Sequence, residues 1–260
     1  MSLIEQIVYL LNNYGSYFVK GLLATLVLAI IGTLVGLFLG IIFALLRNLK
    51  INKQDKAFVK FLKGLGKTLA TIHIELWRGI PMMVQAMLVF FGGASIGIVW
   101  SALGFSSFFN GYMICGLFVI TVNTSAYMAE IVRSGMNGVE DGQMEAARSL
   151  GMTYMQTIWK VVIPQALKNS LPTIGNEFIV NIKDSSVLNV IGLTELYASV
   201  SAATNRNYFQ IAGYLIVAVI YLLLTLCTSL IIRQLSKEKK NGISNPFNVK
   251  HFDENKEVSK

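Results

Sequence analysis

Two long stretches without a charged residue constrain this chain more than any other feature of its sequence. Residues 21–46 give 26 consecutive uncharged positions, and residues 211–232 give 22 more. About 20 apolar residues are enough for a helix to cross the hydrocarbon core of a bilayer. Because backbone N–H and C=O groups find no water there, a spanning segment must satisfy them internally as a helix. The sequence therefore predicts an integral membrane protein.

The composition and the placement of charge agree with a membrane location. Only 14% of the 260 residues are charged, whereas a soluble domain carries roughly 25%. The net charge of +8 comes from basic residues in the loops and the tail, which is typical of a polytopic membrane protein and not of a nucleic-acid-binding protein. Cys115 and Cys227 both fall in apolar segments, so neither a disulfide framework nor a metal site is expected.

We predict an all-α polytopic membrane protein with five transmembrane helices. The predicted spans are residues 21–46, 80–98, 112–131, 170–193 and 211–232. The predicted divisions of the chain are an extracytoplasmic N-terminal segment over 1–20, a transmembrane domain over 21–233 and a cytoplasmic tail over 234–260. In the first span Gly32, Gly36 and Gly40 recur every four residues. This spacing predicts that one face of the helix accepts a neighbouring helix at close range.

The basic residues set the expected orientation. Residues 47–78 carry Lys56, Lys60, Lys63 and Lys67 along one side of a predicted amphipathic helix, which suits the cytoplasmic interface with its anionic headgroups. When this segment, the loop after the third span and the tail are inside, 19 of the 22 Lys and Arg residues are cytoplasmic. The positive-inside rule then places the N-terminus outside and the C-terminus in the cytoplasm.

The loop over residues 135–168 is predicted to form two short helices. Asp141 is the expected cap of a helix over 142–150, and Gly151 follows its end. Thr153 with Gln156 forms a capping box that opens a second helix, which Pro164 is expected to end. The first helix presents small side chains between charged ones, which suits docking into a groove of another protein. A surface hairpin without a partner fits the same residues, so both interpretations stay open here.

Four motifs in order resemble a known transporter family. Glu145-Ala146-Ala147, then Gly151 and then Val161-Val162-Ile163-Pro164 resemble the EAA loop of ABC importer permeases, with aliphatic substitutes before the proline. Three further stretches are similar to the polar amino acid permeases of the histidine, glutamine and arginine type. They are Trp77-Arg78-Gly79-Ile80-Pro81 with Val84-Gln85, then Ser125-Ala126-Tyr127-Met128-Ala129-Glu130-Ile131, and Ile182-Lys183-Asp184-Ser185-Ser186. The chain departs from the family at Ile80, where threonine is usual, and at Thr124-Ser125, where Ser-Gly is common.

The resemblance implies a type I ABC importer permease fold in a bacterial cell membrane. A second permease chain, identical or related, would complete the pathway, and an extracytoplasmic solute-binding protein would deliver a polar amino acid. Two cytoplasmic ATP-binding subunits would bind ATP and Mg, so this chain would hold no cofactor and catalyse no reaction. Consistently, it has no Gly-rich phosphate loop ending in Lys-Ser/Thr. The residues that the resemblance assigns to ATPase coupling are Glu145, Ala146, Ala147, Arg148, Gly151 and Pro164.

Polar side chains inside the predicted spans are candidates for the substrate pathway, because charge at membrane depth is costly and marks function by default. The candidates are Gln85, Asn123, Ser125, Tyr127, Glu130, Asn176, Glu177, Asn181, Lys183, Asp184 and Ser185. Lys183 and Asp184 point about 100° apart on a helix, so each needs a partner elsewhere. Glu130 and Arg133 are compatible with a structural ion pair near the cytoplasmic end of the third span.

Two other function classes are weaker. A secondary transporter driven by an ion gradient usually shows paired internal repeats, and these five spans show none. It would also have no need of the EAA-like loop. An intramembrane enzyme would require paired aspartates, a zinc-binding His-Glu-x-x-His run or a Ser/His pair, but the chain has only His73 and His251.

Overall fold

The computed structural model describes residues 1–241, with side chains described through Ser236, so most of the predicted cytoplasmic tail lies outside the described residues. Every regular element within this part of the chain is helical. The α-helices are α1 Leu3–Arg47, α2 Ala57–Gly79, α3 Met82–Ser95, α4 Gly111–Asn137, α5 Asp141–Ser149, α6 Tyr154–Thr157, α7 Ile163–Asp184, α8 Leu196–Asn207 and α9 Gln210–Asn241. A π-helical turn, Ile158–Val162, joins α6 to α7, and 3₁₀ turns occupy Trp100–Leu103 and Ser185–Ile191.

Three helices, α1, α4 and α9, are each long and apolar enough to cross a membrane. Two broken pairs pass the same test. The α2–α3 pair bends by 111° at its break, and the segment Tyr154–Ile191 with α8 bends by 53°. The described residues therefore offer three spans, or up to five when each broken pair counts as one.

The first helix is much longer than the predicted span. It begins at Leu3, where Ser2 and Glu5 form a capping box, and continues for 45 residues, about 68 Å at 1.5 Å per residue. The helix begins at Leu3, before the predicted span start at residue 21, because Lys20 interrupts the apolar run without interrupting the helix, since lysine is a good helix former. Residues 3–20 therefore lie on the same helix as the predicted first span, and Leu10 and Phe18 pack there against α8 and α9.

The glycine face of α1 contacts α4 directly, which confirms the predicted close approach. A Cβ added to Gly32 would contact Ile120, one added to Gly36 would contact Thr124, and one added to Gly40 would contact Met128. Residue numbers rise together on both helices, so α1 and α4 run parallel. The chain between them must therefore return along the bundle, and α2 and α3 make that return together.

The remaining helices alternate in direction. Ser170 on α7 bonds to the Ile131 carbonyl of α4, and Asn181 bonds to Thr124, so α7 runs antiparallel to α4. Gly175 of α7 lies against Ile232 of α9, while Tyr221 of α9 bonds to Glu195, beyond the end of α7. Hence α9 is antiparallel to α7 and parallel to α1. We call the end of the bundle with Arg47, α5 and α6 the hairpin end, and the end with residues 96–110 the loop end.

Two predicted boundaries change for local reasons. The predicted second span over 80–98 contains a shorter helix, α3, because the break at residues 80–81 separates it from α2. Pro164 does not end the second hairpin helix as expected. It lies in the first turn of α7, where the missing N–H of proline costs least, and the π turn carries the chain from α6 into α7 without a stop.

Candidate functional site

The hairpin between α4 and α7 is built by local backbone chemistry. After α5 ends at Ser149, the Met152 N–H donates to the Ala147 carbonyl and the Gly151 N–H to the Arg148 carbonyl, at 3.1 and 3.0 Å. These two bonds form a Schellman motif, which requires the left-handed conformation that Gly151 adopts with φ +83°. The predicted stop at Gly151 is confirmed.

The second half of the hairpin also follows its prediction, whereas the start of α5 does not. Thr153 and Gln156 form the expected capping box of α6. The cap residue of α5 is Glu140, and no side-chain hydrogen bond caps this helix. Asp141 instead occupies the first turn of α5, where its negative charge interacts favourably with the positive end of the helix dipole.

The coupling residues on α5 that the resemblance assigns differ in solvent exposure. Ala147 is buried, while Glu145, Ala146 and Arg148 are exposed on α5. Behind the hairpin, an apolar cluster that includes Ala44 of α1, Val132 of α4 and Val162 holds it to the bundle. The exposed face of α5 is therefore displayed from a rigid base at the hairpin end.

An ion-pair cluster ties α1, α2 and α4 together near the hairpin end. Glu130 accepts from Arg133 through Nε at 2.9 Å and Nη2 at 2.7 Å, which confirms the predicted pair. The same carboxylate pairs with Arg47 of α1 and lies 3.9 Å from Arg78 of α2. Arg47 also bonds to Glu75 at 3.1 Å. In the described structure Glu130 thus joins three helices, and its side chain is only 17% exposed.

Gln85 and Asn123 complete the break between α2 and α3. The Gln85 amide donates to the carbonyls of Trp77 and Ile80, at 2.7 and 2.6 Å. Asn123 donates to Gln85 Oε1 at 2.9 Å and to the Trp77 carbonyl at 3.3 Å. Since a broken helix leaves carbonyls without N–H partners, these two buried amides satisfy groups that would otherwise be unpaired. The motif that contains Trp77 and Pro81 therefore builds a supported break in a membrane helix.

Ser125 and Asn181 lie in the contacts between helices. Ser125 Oγ lies 2.9 Å from His73 Nε2, and the His73 ring stacks on Phe43 of α1 at 3.9 Å between centroids. Asn181 accepts from Thr124 at 3.0 Å and donates to Thr33 at 2.9 Å. Both candidates are buried, and their hydrogen bonds join spans to one another.

A second group of candidates is exposed on the bundle surface. Asn176 and Lys183 are exposed and seven residues apart, so they share one face of α7. Glu177 and Asp184 are half-buried on the adjoining face. Neither Lys183 nor Asp184 forms an ion pair within 4.0 Å among the described residues. Tyr127 is exposed on α4, with the Arg78 guanidinium 5.7 Å from its ring centre.

Glu195 is a buried charged residue that the sequence analysis missed. It has no exposed surface and accepts from the backbone of Tyr197 and Ala198, from Tyr221 Oη at 2.8 Å and from Thr25 at 3.3 Å. Ser185, the last pathway candidate, lies beside it and is also buried. Its sequence position did carry a signal for a helix start. Glu195 follows Gly192 by three residues and comes directly before the largely apolar beginning of α8.

Comparison with known proteins bears directly on this arrangement. A family model described as the binding-protein-dependent transport system inner membrane component matches residues 57–241, from the start of α2 to the end of α9. This chain belongs to that family. The match includes the broken span, the hairpin and the polar helix α7, and it leaves out α1.

Individual relatives extend the likeness to nearly the whole chain. The probable glutamine ABC transporter permease protein GlnM of Bacillus subtilis is 31% identical, covering 88% of this chain and 95% of that protein. The arginine transport system permease protein ArtQ of the same organism is 30% identical over 87% and 94%. A crystal structure of an amino acid ABC transporter with histidines aligns with a TM-score of 0.74 and 32% identity, covering 92% of this chain and 99% of that chain.

As a member of this permease family, the chain is a transport subunit and not an enzyme. In such transporters ATP hydrolysis belongs to a separate ATPase subunit. The likeness to the solved transporter supports the all-α fold. The family description and the apolar helices together place the chain in a membrane.

Proposed function

We propose that this chain is the permease subunit of an ATP-driven importer that moves polar amino acids across the bacterial cell membrane by alternating access. The observation that carries the proposal is α5, whose exposed Glu145, Ala146 and Arg148 project from a hairpin fixed by its Schellman motif. A short helix held rigidly at one end of a membrane bundle suits mechanical coupling to a soluble subunit. The amino acid permeases among its relatives support the substrate class.

The proposed orientation puts the hairpin end in the cytoplasm and the N-terminus outside. The connection between α1 and α2, with Lys50, Lys53 and Lys56, lies at the hairpin end. The positive-inside rule places such a basic segment in the cytoplasm. There Lys63 donates to Asp55 Oδ2 at 2.8 Å, and this hydrogen bond lowers the pKa of Asp55. The alternating directions of α1, the α2–α3 pair, α4, α7 and α9 support five crossings.

The proposed complex contains a second permease chain, identical or related, two ATP-binding subunits that hold ATP and Mg, and an extracytoplasmic binding protein. The exposed polar face of α7 supports the second chain. Placing a charge such as Lys183 at the bilayer centre costs about 2.5–3.5 kcal/mol on insertion scales. The face with Asn176 and Lys183 is therefore assigned to a protein-enclosed, wet pathway between two permease chains, and Tyr127 is assigned to the same lining.

Alternating access then requires two arrangements of the same bundle. ATP bound to the partner subunits shifts the balance between them by as much as its affinity differs for the two states. The hairpin would transmit this difference to α4 and α7, to which it is directly joined. Buried candidates such as Gln85, Asn123 and Asn181 would hold the helices together during the movement, whereas exposed ones would meet substrate.

Reconstituted transporter is expected to take up a radiolabelled polar amino acid only when ATP and Mg are supplied to the ATPase side. Vesicles would contain this chain, its ATPase and permease partners, and the binding protein on the opposite side. Addition of ionophores that collapse proton and sodium gradients should leave uptake unchanged. Uptake that persists without ATP and disappears with ionophores would instead establish a secondary transporter driven by an ion gradient.

Two substitutions separate the pathway from the scaffold. Lys183→Met should leave the complex assembled but lower uptake per complex by about tenfold or more, as expected for losing a charge-assisted contact of 1.5–3 kcal/mol. Glu130→Gln should lower the melting temperature and the yield of complex, because it weakens the partly buried ion-pair cluster that joins α1, α2 and α4. Its uptake per surviving complex should stay near normal. Reversed outcomes for the two variants would show that the assignment of these residues is wrong.

A further inference from the structure

The segment between α3 and α4 exposes an apolar surface without charge. Residues 92–110 contain no Asp, Glu, Lys or Arg. Four of its large side chains are at least half exposed, namely Ile96 at 78%, Phe105 at 75%, Val99 at 60% and Leu103 at 51%. Several large apolar side chains exposed in one charge-free segment indicate a surface that contacts a partner or a membrane.

Part of the backbone of this segment is satisfied by hydrogen bonds within the segment and to the end of α3. The N–H groups of Ile96, Gly97 and Ile98 donate to the last carbonyls of α3. Further along, Gly104 donates to Ser101 and Phe105 to the Phe109 carbonyl, while residues 100–103 form a 3₁₀ turn. These bonds lower the cost of placing this part of the backbone near hydrocarbon, where water does not satisfy N–H and C=O groups.

The depth of the segment follows from the helices beside it. α3 has 14 residues, about 21 Å at 1.5 Å per residue, and is too short to cross a core of about 30 Å. At the loop end, Phe108 lines a cavity of about 620 Å³ together with Lys20 and Gly21. Those two residues mark where the charge-free run of α1 begins, so the segment lies at the level of the membrane boundary.

A second cavity, of about 510 Å³, opens beneath the apolar patch. Phe90, Ile98, Val99, Trp100 and Tyr112 form its apolar wall, and no charged residue lines it. The Trp100 indole N–H already donates to the Phe90 carbonyl at 3.1 Å. It is therefore not available as a hydrogen-bond donor to a molecule in the cavity. Ser101, Ser106 and Asn110 add neutral polar groups to the lining, but no charged group is there to pair with an ammonium or a carboxylate. The cavity therefore suits a hydrocarbon chain better than an amino acid.

We propose that residues 96–109 lie in the outer leaflet as a lipid-embedded cap, and that the cavity lined by Trp100 holds an acyl chain of a membrane lipid. The occupant is assigned as lipid because the patch is uncharged, lies at the membrane boundary and continues the exposed apolar face of α3 formed by Met87, Leu88 and Phe91. Trp and Tyr, here Trp100 and Tyr112, are the aromatic residues that favour this depth. The cap completes the short second span with lipid-facing side chains in place of further helix.

Spin labels on the assembled, reconstituted transporter test the position of the cap. Ile96→Cys and Phe105→Cys would be labelled in a Cys227→Ala background, since Cys227 is the exposed native cysteine and Cys115 is buried. We expect collisions with oxygen to exceed collisions with a water-soluble nickel chelate at both positions. Leu223→Cys, on the apolar surface of α9, is the lipid control, and Asn205→Cys, exposed on α8, is the aqueous control.

The cavity is tested by fluorescence of Trp100. The difference in emission between the native protein and Trp100→Phe gives the Trp100 component, and lipids with bromine on their acyl chains should quench it more than aqueous iodide does. Nickel-accessible labels at Ile96 and Phe105, matching Asn205, would overturn the proposal. Labels that lose nickel access only when the binding protein is added would overturn it in favour of a protein-docking surface. Trp100 emission quenched by iodide and not by bromolipid would remove the acyl-chain site.

Discussion

Gly151→Val is expected to abolish most of the substrate-stimulated ATP hydrolysis of the assembled transporter. Gly151 has φ +83°, and a Cβ placed on it would meet no atom within 4 Å. The penalty is therefore one of backbone conformation alone, about 1–3 kcal/mol for a β-branched residue in this region. A chain that avoids the strain must give up the Schellman motif, which redirects α5 and its exposed coupling residues. Hydrolysis and retained ATPase subunits would be measured on the purified complex.

Two variants make this result specific. Gly151→Asn should keep most of the activity, since asparagine tolerates the left-handed conformation better than other residues with a side chain. Gly142→Val adds the same side chain to the same hairpin at a site with open space and no positive φ, so it should couple nearly normally. Equal activity for Gly151→Val and Gly142→Val would show that the Gly151 turn does not position the coupling helix.

Gly40→Leu is expected to prevent assembly of the bundle. A Cβ at Gly40 would lie 2.9 Å from the backbone nitrogen of Ala129 and 2.9 Å from the backbone carbon of Met128. Because these atoms belong to a helix backbone and cannot rotate away, α1 and α4 must separate. Overpacking typically costs 1–3 kcal/mol where side chains can adjust, and this site lacks that relief. Yield of folded protein in mild detergent and its melting temperature would be measured.

Gly15→Leu is the matched control, because it lies on the same helix and has nothing within 4 Å of an added Cβ. Leucine is a better helix former than glycine, so this variant should fold as well as the native chain. If Gly40→Leu gives the same yield and melting temperature as Gly15→Leu, the close contact between α1 and α4 does not exist in the membrane.

The hairpin shows where sequence reasoning succeeds. The Gly151 stop and the Thr153–Gln156 box were both predicted, because each depends on hydrogen bonds between residues within about five positions of one another. The prediction that Asp141 caps α5 was wrong although a cap is an equally local interaction. The helix begins one residue earlier than predicted, with Glu140 as its cap residue. The error is the usual ambiguity of one or two residues at a helix end.

The polar candidates show where sequence reasoning stops. Gln85, Asn123 and Asn181 belong to the same class of intramembrane polar residue as Asn176 and Lys183. Only their partners separate them. The first three bond to other helices in the described structure, whereas the last two are exposed. Asn123 and its partner Gln85 are 38 positions apart in the chain, and Asn181 and its partner Thr33 are 148 positions apart. Local sequence patterns therefore could not reveal these contacts.

The sequence by itself determined that the chain is a helical membrane protein, which face of α1 accepts a neighbour and how the hairpin turns at Gly151. Those properties follow from hydropathy, residue spacing and local backbone bonds, which a single segment carries alone. Tertiary structure decided that α1 runs parallel to α4, that Glu130 joins three helices and that Glu195 is buried among four donors. These outcomes depend on free energies shared between distant segments, because a buried polar group is stable only where another helix supplies its hydrogen bonds.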